Sequence, residues 1–215
     1  MPSRISSVSI AAAVCLTACS PGEPPAPVAP AAAESRANPE PTAARDTEAW
    51  TTLFGGTTLD GWNRVGDANW TLGTDGSVDA DDGNGFLVSV QSYADFDLEA
   101  EFWVSADANS GIFVRCANPA EIGAMSCYEV NIFDQRPDPA YRTGAIVDVA
   151  SPAAQVDTAD RWNTYAISAR GPRLTVVLNG QTTVDTEDGR FAAGPIALQR
   201  GAGTVRFRNV RIRVP

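Results

Sequence analysis

The sequence predicts an all-β sandwich. Three observations support this: short runs that alternate apolar and polar residues, turn residues at regular intervals, and no window with sustained helical spacing. The runs extend from about Trp50 to Pro215, separated by Gly, Asp and Asn. The clearest turn is Asn179-Gly180, because this pair tolerates the positive backbone dihedrals of a tight hairpin. No longer sequence period recurs, so a propeller is not predicted.

Ten strands are expected, each an apolar or alternating run bounded by turn residues. In chain order they are Trp70–Leu72, Phe86–Val88, Phe96–Val104, Gly111–Cys116, Tyr128–Phe133, Thr164–Ala169, Leu174–Leu178, Gln181–Val184, Pro195–Gln199 and Thr204–Val214. The third strand alternates most regularly. Because successive strand residues face opposite ways, its apolar set should enter the core between two sheets. That set is Leu98, Ala100, Phe102 and Val104.

Residues 1–18 are typical of a bacterial lipoprotein signal peptide. Arg4 gives a positive start, a short apolar run follows, and Leu16-Thr17-Ala18-Cys19 resembles a lipobox, which makes Cys19 the expected lipidation site. Ser20 after the cysteine favours an outer-membrane address, with the domain facing the periplasm or the surface. The alternative is an ordinary secretory peptide cut after Ala18. Both readings take the chain out of the cytoplasm, and the first places it in the bacterial cell envelope with the membrane as a partner through the lipid.

Residues 19–47 are rich in proline and alanine and predict a disordered linker. Such a composition buries too little apolar area to offset the entropy lost on ordering. We therefore expect a semi-extended tether, followed by one sandwich domain over residues 48–215.

The composition excludes several function classes. The net charge is −10, which disfavours phosphate binding, so no nucleic-acid partner is expected; every one of the 16 basic residues is arginine. The chain has 0 histidines, which excludes a Ser-His-Asp triad and imidazole metal ligands. With no lysine, Schiff-base chemistry is excluded too. Acid–base catalysis would have to use carboxylates, tyrosine, arginine or a bound cation.

Two cysteines remain in the domain once Cys15 leaves with the leader and Cys19 carries lipid. In an oxidising compartment Cys116 and Cys127 should form a disulfide, which would join the end of one predicted strand to the start of the next. The alternative is a pair of thiols that bind metal, although no further soft ligand accompanies them.

One face of the sandwich is unusually polar. The strand Phe96–Val104 places Asp97, Glu99, Glu101 and Trp103 opposite its apolar set. Arg115, Glu129 and Asn131 would join this face if the next two strands are its neighbours. Carboxylates, a guanidinium, an amide and aromatic rings are the groups that bind sugars. A face that is merely solvated is the alternative.

The segment LFGGTTLDGW stands at the start of the domain, at residues 53–62. It resembles the LFNGKDLDGW opening of the DUF1080 family, the 3-keto-disaccharide hydrolase domain. Further similar segments follow in the same order through most of the domain. They are Tyr93–Leu98, Asn109–Arg115, Tyr128–Ile132, Thr143–Ile146, Trp162–Tyr165, Leu174–Gly180, Gly194–Gln199 and Phe207–Ile212.

The resemblance implies a concanavalin A-like jelly-roll β-sandwich that cleaves glycosides oxidised to a ketone at C3. Such a ketone acidifies the C2 proton, so a carboxylate can remove it, the C1 substituent leaves by elimination, and water then adds. The reaction needs a base and a positive or hydrogen-bonding group at the developing enolate.

The site residues are assigned from this resemblance and from the polar face. Glu129 or Glu101 is the expected base, and Arg115 is the expected clamp on the enolate or a hydroxyl. Expected substrate-binding residues are Asn109, Asn131, Gln199 and Trp103. Asp134 is a candidate ligand for a divalent cation, with no other cofactor implied.

Three departures from the family pattern favour an alternative function. The segment Gln199–Gly203 lacks the histidine that the family often has in an LQ-x-HG segment, Val147 replaces a tyrosine, and Asn131 replaces a glutamine. A non-catalytic carbohydrate-binding or cell-envelope interaction module is therefore the second hypothesis beside the enzyme.

Overall fold

The computed structural model describes residues 49–215, which fold into thirteen β-strands and one short 3-10 helix. The strands are β1 (Thr51–Phe54), β2 (Trp62–Gly66), β3 (Thr71–Leu72), β4 (Val78–Ala80), β5 (Gly85–Tyr93), β6 (Phe96–Val104), β7 (Asn109–Val114), β8 (Tyr128–Ile132), β9 (Trp162–Arg170), β10 (Arg173–Leu178), β11 (Gln181–Glu187), β12 (Gly194–Ala202) and β13 (Val205–Arg213). The helix covers Pro139–Tyr141. The predicted signal peptide, the Cys19 site and the linker lie outside these residues.

The strands form two antiparallel sheets. The eight-stranded sheet has the order β11-β10-β9-β6-β13-β4-β3, and β1 also pairs with β13. The five-stranded sheet has the order β2-β5-β12-β7-β8. The predicted all-β sandwich is confirmed. Within the described part of the chain, no helix has the length and apolarity needed to cross a bilayer.

The core lies between the sheets and is built from the alternating apolar residues of both. In β6 every second side chain is buried, as the sequence pattern predicts. Phe102 stacks on Tyr165 of β9 with ring centroids 4.9 Å apart, and both rings are fully buried. Two other faces, one on each sheet, therefore point away from the core.

Each of the ten expected strands overlaps an observed one, while β1, β2 and β4 were not predicted. These three have only four, five and three residues. β1 and β2 pair with strands that do not adjoin them in sequence, and β4 pairs with the distant β13 as well as with the two-residue β3. Their short length gives too few positions for an alternation pattern to appear.

The expectation that β6 and β7 are neighbouring strands is wrong. β6 belongs to the eight-stranded sheet, and β7 and β8 belong to the five-stranded one. The four residues between β6 and β7 make a tight turn, closed by Ala108 N–H donating to Ser105 O at 3.0 Å, and lead the chain from one sheet to the other. This crossing determines which predicted site residues can meet.

Candidate functional site

The outer face of the five-stranded sheet carries two rows of side chains that cross β5, β12, β7 and β8. The first row pairs Phe86 with Gln199, Gln199 with Gly111, and Gly111 with Asn131. The second row runs in the same strand order through Val88, Ala197, Phe113 and Glu129. Residues opposite each other in antiparallel strands share a face, so the rows form one continuous surface.

Part of this surface is apolar and packed. The side chains of Val88, Phe113, Ala197 and the two cysteines form a small cluster apart from the main core. Phe86 meets Phe113 edge to face, with centroids 5.4 Å apart. Cys116 and Cys127 form a disulfide, and both are buried within the same cluster. The cluster gives the neighbouring polar groups a partly desolvated environment.

Glu129 lies on the edge strand β8, directly opposite Phe113. Burial raises the pKa of its carboxyl to about 7, with Asp148 adding to the increase and Arg136 opposing it. A carboxyl with this pKa can both accept and release a proton near neutral pH. It is the acid–base group expected of a catalytic site on this face.

Two amide side chains lie in the first row with acceptors that have no partner in residues 49–215. Asn131 is 2% exposed; its Nδ2 donates to Tyr141 O, while its Oδ1 is buried and unpaired. Gln199 Oε1 is also buried and unpaired. Buried acceptors cost free energy unless a donor reaches them, and a ligand hydroxyl is one such donor.

Gly111 lies between these two amides in the first row, and because it has no side chain the surface is open at that point. A Cβ there would lie 3.2 Å from the Phe113 ring and 3.6 Å from Gln199 Oε1. Asn109 begins β7 on the same side of the sheet and is half-buried beside Gly201. The structure thus places four of the predicted residues on one face: Asn109, Asn131, Gln199 and Glu129.

A loop after β8 adds groups that sequence reasoning missed. The Arg136 guanidinium lies over the rings of Phe133 and Tyr141, at 5.7 and 5.8 Å from their centroids. A hydrogen bond to Asp148 raises the pKa of the Tyr141 hydroxyl. The sequence of this loop shows neither strand nor helix periodicity, so its position could not be predicted. The one sequence feature that pointed to it was the presence of charged and aromatic residues just after the strand that carries Glu129.

Arg115 does not reach this face, which corrects its predicted role as a clamp. It follows the last residue of β7 in the left-handed region, with φ of 53°, and its side chain is buried. The guanidinium donates to the carbonyl oxygens of Ala94 and Gly171, both at 2.7 Å, and pairs with Asp95 at 3.0 Å. The change of backbone direction after Val114 turns this side chain into the protein, where it holds loops together.

Glu101 and Trp103 lie on the other side of the molecule, on the outer face of the eight-stranded sheet. Glu101 accepts from Arg208 Nε at 2.7 Å and from Asn209 Nδ2 at 2.8 Å. Burial acts to raise the pKa of Glu101, but these hydrogen bonds outweigh it and the pKa is lowered. The expected meeting of Glu101, Arg115 and Glu129 in one cleft is therefore wrong.

Asp134 has a different environment from that of a metal ligand. Its Oδ1 accepts from the hydroxyls of Thr143 at 2.5 Å and Thr158 at 2.9 Å. Its Oδ2 accepts from the backbone N–H groups of Thr158 at 2.5 Å and Ala159 at 3.1 Å. Across residues 49–215 no group of three or more His, Cys, Asp or Glu residues could hold a metal ion. Asp134 instead ties the loop beside the site to the segment before β9.

Comparison with known proteins agrees with this architecture. A candidate glycosyl hydrolase from Parabacteroides distasonis has a TM-score of 0.68 at 18% identity, covering 77% of this chain and 94% of that one. A second from the same organism has a TM-score of 0.66 at 23% identity, covering 78% and 100%. The carbohydrate binding module CBM66 from Bacillus subtilis has a TM-score of 0.57 at 21% identity, covering 71% and 95%. At these identities the similarities establish the fold.

No curated protein matches the sequence. Residues 49–213, nearly the whole of the described part, match the family described as the 3-keto-alpha-glucoside-1,2-lyase-like domain. The family and the solved structures together indicate a glycosyl hydrolase-like or carbohydrate-binding jelly-roll domain. The chain belongs to the 3-keto-alpha-glucoside-1,2-lyase-like domain family.

Proposed function

We propose that this domain cleaves 3-keto-glycosides on the outer face of its five-stranded sheet, with Glu129 as the base. The observation that carries the proposal is the Glu129 carboxyl, whose pKa of about 7 arises from burial beside an apolar cluster. The family match supports a glycoside substrate. A base poised near neutral pH is what proton removal from carbon requires.

The proposed reaction has two stages. In the first, the Glu129 carboxylate takes the C2 proton, the C2–H electron pair forms the enolate of the C3 ketone, and the C1–O bond then breaks. The glycosidic oxygen leaves with a proton, and a C1=C2 double bond remains. In the second, water adds at C1 and a proton returns to C2, so the net change is hydrolysis. The proton held by Glu129 goes to the leaving glycosidic oxygen, and the proton that C2 regains comes from the added water.

Three amides are proposed to hold the substrate and one cation to stabilise it. Asn131 and Gln199 each offer an unpaired buried acceptor to a sugar hydroxyl, and Asn109 extends the same polar surface. Arg136 is the positive group whose charge acts on Glu129, and it takes the role expected of Arg115 at the developing enolate.

Deuterium incorporation tests the proposed route. The full chain is incubated in D2O with a 3-keto-glucoside that carries a chromogenic aglycone, and the released sugar is analysed by NMR. Elimination followed by hydration predicts aglycone release with solvent deuterium at C2, above the exchange seen without protein. Release with no added deuterium at C2 would mean direct displacement at C1 and would contradict the proposal.

A non-catalytic carbohydrate-binding module is the second candidate. Val147 replaces the tyrosine typical of the resembling family, and its N–H donates to the backbone Glu129 O at 3.0 Å, so the position that lost the hydroxyl lies beside the strand residue that carries the proposed base. The segment after Gln199 has no histidine, and its Arg200 donates to the backbone oxygens of Asp81 and Gly83. Binding of the 3-keto-glucoside without release of its aglycone would establish this candidate and exclude the enzyme.

A further inference from the structure

The outer face of the eight-stranded sheet carries an ordered array of charged side chains, here called the charged face. It consists of the outward residues of β6, β9 and β13. The strand register places Glu101 opposite Arg208 and Thr164, and Glu99 opposite Arg211 and Ala166. Each acid therefore has an arginine on one side and a small residue on the other.

A hollow opens in the charged face where β13 bulges. The register of β13 against β6 shifts between Arg208 and Arg211, and Asn209 adopts a positive φ of 51°. The hollow has a volume of about 410 Å³, within the range of small-molecule sites. Its polar lining includes Thr52, Glu99, Glu101, Thr164, Asn209 and Arg211.

The charged side chains at this hollow form ion pairs with one another. Arg211 Nε donates to Glu99 Oε2 at 2.8 Å, and Arg208 Nε donates to Glu101 Oε2 at 2.7 Å. Because each carboxylate is paired, the hollow offers neither a concentrated negative charge for a metal ion nor an unpaired cation for phosphate. A neutral polar ligand matches this balance best.

Hydrogen-bonding groups remain available for such a ligand. Within residues 49–215, Glu99 Oε1 and the Thr164 hydroxyl make no hydrogen bond to another residue. Thr164 is exposed and lies at the mouth of the hollow. A carboxylate that is paired with a guanidinium keeps lone pairs that can accept, and the guanidinium keeps N–H groups that can donate. Together they can bind two neighbouring sugar hydroxyls that lie in the plane of the ion pair.

Tryptophan rings flank the array at both ends. Trp162 lies opposite Trp103 in the neighbouring row, and its ring is 3.9 Å from the Arg208 guanidinium carbon. Trp50 lies over Arg211 at 4.7 Å. Trp103 and Glu99 are four positions apart in β6, a distance of about 14 Å along the strand. A surface of this length, with flat aromatic rings beside polar groups, has room to bind several sugar units.

We propose that the hollow in the charged face is a second binding site, which takes a neutral oligosaccharide. It lies on the opposite sheet from Glu129, so it is separate from the proposed catalytic face. Its ligand needs no ketone, because Glu99 and Glu101 are both held by arginines and neither is free to remove a proton from carbon. The site would hold the domain on a glycan while the other face acts on a single 3-keto-glycoside. It does not depend on the proposed catalytic function.

The test uses a substitution that fills the hollow without touching the core. Because Thr164 is exposed, Thr164→Trp adds a ring at the mouth and leaves the buried residues of β9 in place. Thr182→Trp is the matched control, since it makes the same change at an exposed position of β11 in the same sheet. Binding of cellotetraose and of maltotetraose to the full chain is measured by titration calorimetry, at concentrations of about 1 mM, where weak binding is still detected.

The proposal predicts that at least one tetrasaccharide binds the wild type and the Thr182→Trp variant equally. Thr164→Trp should weaken that binding by about tenfold or more. Glu129→Gln should leave it unchanged, because the two faces are separate. The proposal is overturned if neither tetrasaccharide binds, if Thr164→Trp binds as the wild type does, or if Glu129→Gln abolishes binding.

Discussion

At the scale of single residues, environment determines which carboxylate can act as a base. Glu101 and Glu129 are the same residue type, and both point out of a sheet. Hydrogen bonds from an arginine and an asparagine lower the pKa of Glu101, whereas burial beside Phe113 and the disulfide raises the pKa of Glu129. Only Glu129 changes its protonation state near neutral pH, so the two glutamates are not interchangeable candidates.

The pH dependence of turnover should report the Glu129 carboxyl. Because the base must be ionised, kcat/KM should be low in acid, rise through a midpoint near pH 7, and level off above it. The measurement is aglycone release from a 3-keto-glucoside across this range, with protein integrity checked by circular dichroism at each pH. A midpoint below pH 5 would assign the base to a carboxylate of ordinary or lowered pKa.

Arg115 should matter for stability and not for catalysis. Arg115→Met removes a buried charge and the donors that hold the carbonyl oxygens of Ala94 and Gly171. We expect the free energy of unfolding, measured in urea, to fall by about 3 kcal/mol, with kcat of the folded protein unchanged. Arg211→Met removes an exposed pair and should cost less than about 1 kcal/mol. A large loss of kcat in Arg115→Met at unchanged stability would return the clamp role to this residue.

At the scale of the elements, the β7–β8 hairpin controls the site. It carries Glu129, Asn131, Asn109 and Gly111, and its disulfide links residues 11 positions apart beside Phe113. The edge strand β8 is also joined to the following loop, because Asn131 O accepts from Gly144 N–H at 3.1 Å. The hairpin therefore fixes both the base and the loop that supplies Arg136.

Loss of the disulfide should affect both stability and the Glu129 pKa. A loop of this length predicts that the double variant Cys116→Ser, Cys127→Ser loses about 2–3 kcal/mol of unfolding free energy in urea. Because both cysteines belong to the apolar cluster beside Glu129, water should reach the carboxyl more easily and the midpoint of the pH profile should move to lower pH. A variant that loses stability and keeps its midpoint would show that the cluster does not raise this pKa.

The alternation pattern was sufficient to predict the strands and their faces but not the arrangement of the sheets. The outward position of Glu101, Glu129 and Asn131 follows from period-two alternation in β6 and β8. Which strands become neighbours depends on the path of Ser105–Ala108, four residues that resemble a hairpin turn in sequence and lead instead to the other sheet. The Glu129 pKa was equally unpredictable, because its burial and the nearby charges of Arg136 and Asp148 depend on how β7 and the loop after β8 pack around it.

At the scale of the whole molecule, the sandwich separates two polar surfaces of different character. One is partly apolar, holds a carboxyl of raised pKa and has unpaired amide acceptors. The other is an array of compensated ion pairs flanked by tryptophans. A continuous hydrophobic core lies between the two surfaces, so a substitution on one should leave the other unchanged. Variants of one surface can therefore serve as controls in experiments on the other.

The most direct measurement compares turnover of a 3-keto-glucoside by Glu129→Gln and by Glu101→Gln. Both substitutions keep the side-chain shape and remove one carboxylate. The fold should survive in both: the raised pKa means that ionised Glu129 opposes folding, so above pH 7 Glu129→Gln should be at least as stable as the wild type. We predict that Glu129→Gln lowers kcat by about 100-fold or more and that Glu101→Gln changes it by less than about twofold. Undiminished turnover by Glu129→Gln, or an equal loss in both variants, would contradict the assignment of the base to the five-stranded sheet.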